Sequence, residues 1–189
     1  MKGLFISGRC IAAPPPADWR EQLAQKLGAK PRRIGAWAEL GLYGALCCMA
    51  DAGETTLPQD ALLLLTSRSG THAATGIALE QMREGLPMPL TFLQTQPSQL
   101  LAMVSAQLNW EGHACFFAGA RAQALLRLAE AQAGDGGALI GWVDDVGDVS
   151  NGDDANRGST NWVRLRRGGP QTQGLVPAFS DAMFLPGGA

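Results

Sequence analysis

The sequence predicts an α/β fold whose sheet is covered by helices on both faces, and three stretches carry that prediction. The first is an apolar run, Ala114–Ala118, that meets Gly119 and passes into a helix-patterned segment, Ala120–Ala131. A glycine-rich break (Gly134, Gly136, Gly137) then leads to a second apolar run, Ala138–Val143. Strand, tight turn, helix and strand in immediate succession read as one parallel β-α-β unit. The second stretch, Ala61–Leu65, is apolar at every position, as an inner strand covered on both sides requires. The third is the polar loop Thr66–Thr71, which closes that strand at its C-terminal edge, where ligands gather in open α/β sheets.

The remaining elements follow in order. Gly3–Ser7 reads as a first strand, and Pro14–Pro16 as a loop. Asp18 is placed to N-cap a short helix through Leu27, stopped by Gly28 and Pro31. Ala36–Ala52 has helical spacing, with Gly41 and Gly44 on one face. Glycine inside a helix costs about 1 kcal/mol relative to alanine. The pair therefore implies a close neighbouring backbone, either a buried helix crossing or a subunit contact. Thr75–Glu84 reads as a helix ended by Gly85, Pro87 and Pro89; another starts at Pro97 and Ser98 and ends by Asn109 and Gly112. Asp144–Asn161 reads as a long surface loop with a turn at Asn151-Gly152, and its acidic residues lack the ligand pattern of an EF-hand. Trp162–Arg166 alternates like a half-buried strand, Gly174–Phe179 like an edge strand limited by Pro177, and the last residues are expected to fray.

With 189 residues, 46% of them apolar and 17% charged, the chain suits one domain over 1–189 with a substantial core. A formal net charge of −2 leaves no nucleic-acid footprint, and the basic clusters Lys30–Arg33 and Arg164–Arg167 read as solvated surface. Cys10, Cys47, Cys48 and Cys115 have no Cys-x-x-Cys spacing and only His72 and His113 to join them. No metal site is therefore expected, and four reduced thiols point to the cytoplasm. The N-terminal apolar run is too short for a signal-peptide core, and Ile34–Ala50 is short for a membrane span.

Taken together, these pieces resemble the N-terminal half of a β-ketoacyl-ACP synthase, from about Ala61 to Val143 and more weakly to both ends. Leu62–Gly70 resembles the strand that ends in an S-x-x-G loop, and Pro89-Leu90-Thr91-Phe92 is similar to the S-P-x-x-F segment. Pro97–Gly112 resembles the helix before the G-P turn, and Ala138–Asp144 the strand written A-L-x-G-G-x-E/D. The resemblance is strongest to the divergent branch found beside aryl-polyene and related polyketide genes. It implies a three-layer half of a thiolase-like fold, with a mixed, mostly parallel sheet and helices on both faces, and no cofactor.

A ketosynthase sets its cysteine at the start of a helix, where the helix dipole lowers the thiol pKa and backbone N–H groups form an oxyanion hole. Counting from Gly112 as the turn glycine, that position falls on Arg121, whose guanidinium can be neither acylated nor deprotonated. Gln123, Arg127 and Glu130 share a polar stripe at about 100° per residue, with Arg121 opposite beside Leu125 and Leu128. Arg121 thus faces inward or toward a partner, or snorkels to solvent from the first turn. Cys115, in mid-strand, reads as a small buried hydrophobe. The family is a tandem of two halves, the second supplying the decarboxylating bases; this chain reads as one half, and neither His72 nor His113 matches those bases. A hydrolase pair of His72 with Ser67 or Ser69 lacks both a Gly-x-Ser-x-Gly elbow and an acid.

The expected function is a non-catalytic, chain-length-factor-like partner in fatty acid or polyketide (aryl polyene) biosynthesis. Family dimers pair the strand corresponding to Ala114–Ala118 across a two-fold axis, which would set Phe116, Phe117, Arg121 and Pro89–Gln99 at or near the contact. Ser67, Ser69, His72, Phe92 and Gly119 complete the candidate pocket or interface. The partners implied are a ketosynthase subunit or a second copy, and an acyl carrier protein. The alternatives are a β-ketoacyl-ACP synthase or acyltransferase using another nucleophile on acyl-ACP thioesters, and an acyl-binding module.

Overall fold

The leucine run after Ala61 becomes an inner strand of a mixed five-stranded sheet. A computed structural model describes residues 3–86, 88–144 and 158–168. In chain order its elements are β1 (Leu4–Ala12), α1 (Trp19–Leu27), α2 (Ala36–Asp51), β2 (Leu62–Ser67), α3 (His72–Arg83) and α4 (Pro89–Gln94). These are followed by α5 (Ser98–Gln107), β3 (His113–Ala118), α6 (Ala122–Gln132), β4 (Ala138–Asp144) and β5 (Ser159–Arg167). The strand order is β1-β5-β4-β2-β3. β2 pairs in parallel with both β3 and β4, and β5 lies antiparallel between β1 and β4. The β3-α6-β4 unit is the predicted one, and the mixed, mostly parallel sheet with helices on both faces is the predicted class.

Alternation along the strands splits the core into two layers. Leu63 and Leu65 of β2, Leu139 and Val143 of β4 and Trp162 of β5 meet α1, α2 and α5 on one face. Leu62, Leu64, Ile140, Val163 and Leu165 meet α6 on the other. Gly41 and Gly44 resolve as buried packing within the chain, against side chains and not the expected backbone: a Cβ on Gly41 would collide with Leu100 of α5, and one on Gly44 with Thr160 and Trp162 of β5. Gly141 likewise leaves room for the Trp162 indole.

Several sequence expectations are corrected. β1 runs on to Ala12, with a register shift between Ile6 and Gly8 that hides the alternation. Asp18 takes the expected N-cap position of α1, but its side chain makes no capping bond; its carboxylate accepts from Gln22 Nε2 at 2.9 Å instead. α3 begins at His72, a turn before the expected start at Thr75, so this histidine opens the helix. β5 is buried through Leu165, not half-buried, because β1 and β4 flank it and both layers cover it. Cys115 is exposed, since β3 is the edge strand. Both ends of the expected Asp144–Asn161 surface loop are strand: Asp144 ends β4, and Ser159, Thr160 and Asn161 are buried in β5. The Asn151-Gly152 turn, the rest of that loop but for Gly158, the Gly174–Phe179 strand and the terminal residues lie outside the described residues.

The basic cluster at the end of β5 is also not a solvated surface. Arg164 is fully buried; its Nε donates to Glu54 Oε2 at 2.6 Å, and its Nη1 to the carbonyls of Leu165 at 2.6 Å and Gly136 at 2.8 Å. Arg167 reaches the end of α6, donating to the Ala133 carbonyl at 2.7 Å and the Glu130 carbonyl at 3.0 Å, where cations are favoured. Removing one partner of a buried pair strands the other charge. Glu54→Gln is therefore expected to lower unfolding stability in urea by about 3 kcal/mol. Arg166→Ala, at an exposed side chain 3.5 Å from the same carboxylate, should change it by about 0.5 kcal/mol or less.

Candidate functional site at the C-terminal edge of the sheet

β2 and β3 are neighbours, yet the chain leaves them toward opposite faces. The segment after β2 returns through α5, whose Leu100 and Val104 lie in the α2 layer; the segment after β3 returns through α6 on the other face. The C-terminal ends of two such strands are the usual ligand position in this architecture. On one side of that position stands the loop Ser67–Thr71 and on the other Gly119–Arg121.

The two sides are joined by backbone. Gly119 N–H donates to the Ser67 carbonyl at 2.8 Å, from a left-handed conformation (φ 66°) that suits glycine. The buried Thr66 hydroxyl donates to the Phe117 carbonyl at 2.6 Å, with the Ala120 carbonyl at 3.3 Å. Thr71 Oγ1 ties the far end of the loop to the Thr95 carbonyl at 2.7 Å.

Asp144, at the end of β4, organises the loop. Its Oδ1 accepts from the Arg68 N–H at 2.7 Å, Ser67 Oγ at 3.0 Å, the Ser69 N–H at 3.2 Å and Ser69 Oγ at 3.3 Å. Its Oδ2 accepts from Trp142 Nε1 at 2.7 Å. Burial pushes the carboxyl pKa up. The hydrogen bonds from Trp142, Arg68, Ser69 and Ser67 outweigh that and hold it below its ordinary value. The Ser67 hydroxyl also accepts from the Gly70 N–H at 2.6 Å, so this buried serine is committed to the loop's own geometry.

Arg121 stands at the start of α6. Its backbone is extended (φ −76°, ψ 148°), its carbonyl accepts from the N–H groups of Ala124 and Leu125, and its side chain does not cap the helix. The residue is exposed, which selects the snorkelling alternative within this chain. This edge of the sheet thus presents a cation at the helix start, and all four cysteines lie elsewhere, on β1, α2 and β3. Among the described residues no three His, Cys, Asp or Glu side chains gather to hold a metal ion.

The other predicted residues are dispersed. Phe116 packs toward the α2 layer, where Trp37 meets it edge-on with ring centroids 6.4 Å apart, whereas Phe117 packs toward α6. His72 is exposed on the first turn of α3, and Ser69 is exposed in the loop. Phe92 belongs to a separate apolar surface on α3 and α4, where Met82, Met88, Phe92 and Leu93 are each more than half exposed. They line an open cavity of about 460 Å³ together with Ala78 and Gln81. Sequence reasoning missed both Asp144 as the loop's anchor and the apolar outer face of α3. The terminal acid of the A-L-x-G-G-x-D strand was a signal for the first.

Solved structures share this fold, three of them as follows. One is a ketosynthase (ApeO) in complex with its chain length factor (ApeC) from Xenorhabdus doucetiae, with a TM-score of 0.57 at 16% identity over 90% of this chain and 81% of that one. The ishigamide ketosynthase/chain length factor gives 0.64 at 15% identity, over 87% of this chain and 62% of that one. A type II polyketide synthase acyl-carrier protein in complex with its ketosynthase (AntDE:AntF) gives 0.58 at 11%, over 88% and 58%. This chain therefore spans less than two thirds of the second and third. No protein-family model matches it, and neither does any of the curated proteins compared. The fold is the thiolase-like α/β fold of the ketosynthases. Among the described residues no helix is long and apolar enough to cross a membrane.

Asp144→Ala is expected to cost about 2 kcal/mol of stability and to speed hydrogen exchange at the Arg68 and Ser69 amides. Because its folded pKa is depressed, Asp144 contributes fully above the ordinary aspartate value of 3.8, and the contribution is lost as pH falls through the folded value. Acid titration of unfolding should therefore bring wild type and variant together below that pH.

Proposed function

We propose that this chain is a non-catalytic, chain-length-factor-like partner of a ketosynthase in polyketide or fatty acid assembly, of the aryl-polyene kind, working with an acyl carrier protein. The observation that carries the reading is Arg121 at the start of α6. In the ketosynthases that the sequence resembles, a nucleophilic cysteine occupies this helix start; a guanidinium there cannot form a thioester. Cys115, in the preceding strand, lies before the turn at Gly119 and away from the helix dipole that would activate it.

Two surfaces support an assembling role. β3 pairs with β2 on one side and, among the described residues, offers its other edge unpaired, a row of backbone donors and acceptors that readily takes another strand. The α3–α4 face exposes large apolar side chains together, the signature of an interaction surface. The cavity on that face favours a second reading, an acyl-chain binding module, which native mass spectrometry of the purified chain would reveal as a co-purified lipid.

Co-expression with a ketosynthase should yield a heterodimer on size exclusion. Phe92→Asp and Leu93→Asp, at exposed positions that the fold tolerates, should weaken it about tenfold or more. Incubation with acyl-ACP or acyl-CoA should leave the intact mass unchanged. A covalent acyl group removed by one cysteine or serine substitution would make the chain an enzyme and overturn the proposal.

A further inference from the structure

α3 and α4 turn matched faces to one cavity. Ala78, Gln81 and Met82 stand at i, i+3 and i+4 on one side of α3, and Pro89, Phe92 and Leu93 repeat that spacing on α4. The opposite side of α3 carries the exposed Glu80–Arg83 ion pair at 3.2 Å, so this helix has one polar face and one apolar face. Gly85, left-handed at φ 72°, turns the chain after α3, and the Leu86 N–H donates to the Gln81 carbonyl at 2.9 Å. At the other end Thr71 Oγ1 donates to the Thr95 carbonyl at 2.7 Å. The helical hairpin is thus tied at both ends, and the cavity of about 460 Å³ is lined from both helices.

One polar atom decides what suits this cavity. Gln81 lines it, and the Gln81 Oε1 is buried with no hydrogen-bond partner among the described residues. A buried acceptor without a donor is costly. A plain alkyl chain would fill the apolar space and leave that oxygen unpaired, and a carboxylate would set a second acceptor against it. A flat apolar ring with a single N–H meets both needs. The lining suits a ring as well: the thioethers of Met82 and Met88 make favourable contacts with aromatic edges, and Phe92 offers a ring for a second one to meet. The last torsion of a glutamine side chain is soft, so the amide oxygen can turn to an incoming donor. Indole combines a large apolar ring with one donor, and tryptophan is enriched among the anchors that fill pockets at subunit contacts.

We propose that the cavity between α3 and α4 is the socket for an exposed tryptophan of a partner subunit, whose indole ring packs on Met82, Met88 and Phe92 and whose ring N–H donates to Gln81 Oε1. The proposal rests on the reading of the α3–α4 face as a subunit contact, and it adds what that contact inserts.

The test has one arm on this chain alone and one on the complex. In an NMR titration of the whole chain, indole should move the methyl signals of Met82 and Met88 and the side-chain amide of Gln81. 1-Methylindole, the same ring without its donor, should bind about two- to tenfold more weakly, the worth of one hydrogen bond. Gln81→Met keeps the length of the side chain and removes the acceptor. It should erase the difference between the two probes and weaken the heterodimer with a ketosynthase by about the same two- to tenfold. It should also leave the urea midpoint of the chain unchanged or raised, because an unpaired buried acceptor has gone. Equal binding of the two probes by wild type, tighter binding of octanoate than of indole, or a midpoint lowered by Gln81→Met would each overturn the proposal. A heterodimer equally tight with wild type and Gln81→Met overturns it too, and leaves the proposed function standing. A wild-type chain that forms no heterodimer overturns the proposed function instead, and the indole arm still tests the socket by itself.

Discussion

The carboxylate of Asp144 closes the working end of this sheet. Two backbone N–H groups and two hydroxyls of the Ser67–Ser69 loop converge on one of its oxygens, and the Trp142 indole donates to the other. The loop would otherwise leave those N–H groups to solvent; an internal anion at the adjacent strand end satisfies them with charge-assisted bonds. The position of that loop then fixes the opposite side, because the Ser67 carbonyl receives Gly119 and Thr66 holds the carbonyls of Phe117 and Ala120. The start of α6 inherits its place from these bonds.

The far end of the sheet is secured by different means. Arg164 is buried against Glu54 and fills carbonyls around the turn that leads into β4. Both ends are thus built from a charge satisfied by many partners, which favours one arrangement of the loops over its alternatives. Between these anchors the α2 layer is packed closely enough that Gly41, Gly44 and Gly141 have no room for a methyl group. Close packing there contrasts with the outer surfaces: among the described residues β3 has one unpaired edge, and α3 and α4 expose apolar side chains.

What the sequence disclosed depended on whether the signal was local. Consecutive apolar residues in β2 and the β3-α6-β4 unit carry their own periodicity, so these elements and the fold class were readable. The glycines of α2 announced close packing, although not that the neighbours would be side chains of α5 and β5. Arg164 was misread because its partner, Glu54, is 110 positions away and nothing in the charge run announces it. The exposure of Cys115 follows from strand order, which an apolar pentapeptide cannot encode. Ser67, Ser69 and Asp144 were all noted, but only the pairing of β2 with β4 brings them together. Arg121 was located correctly at a helix start, because the turn glycine and the helical pattern after it are both local.

The proposed function turns on the helix start, where Arg121 stands at the position that the family resemblance gives to a nucleophile. Reconstituted condensation with a purified ketosynthase, a loaded acyl carrier protein and an extender donor, run with and without this chain and read by the mass of the products, tests it most directly. The account predicts that adding the chain changes the length of the acyl products while the chain itself carries no acyl group. Identical product lengths in its presence and absence would contradict it.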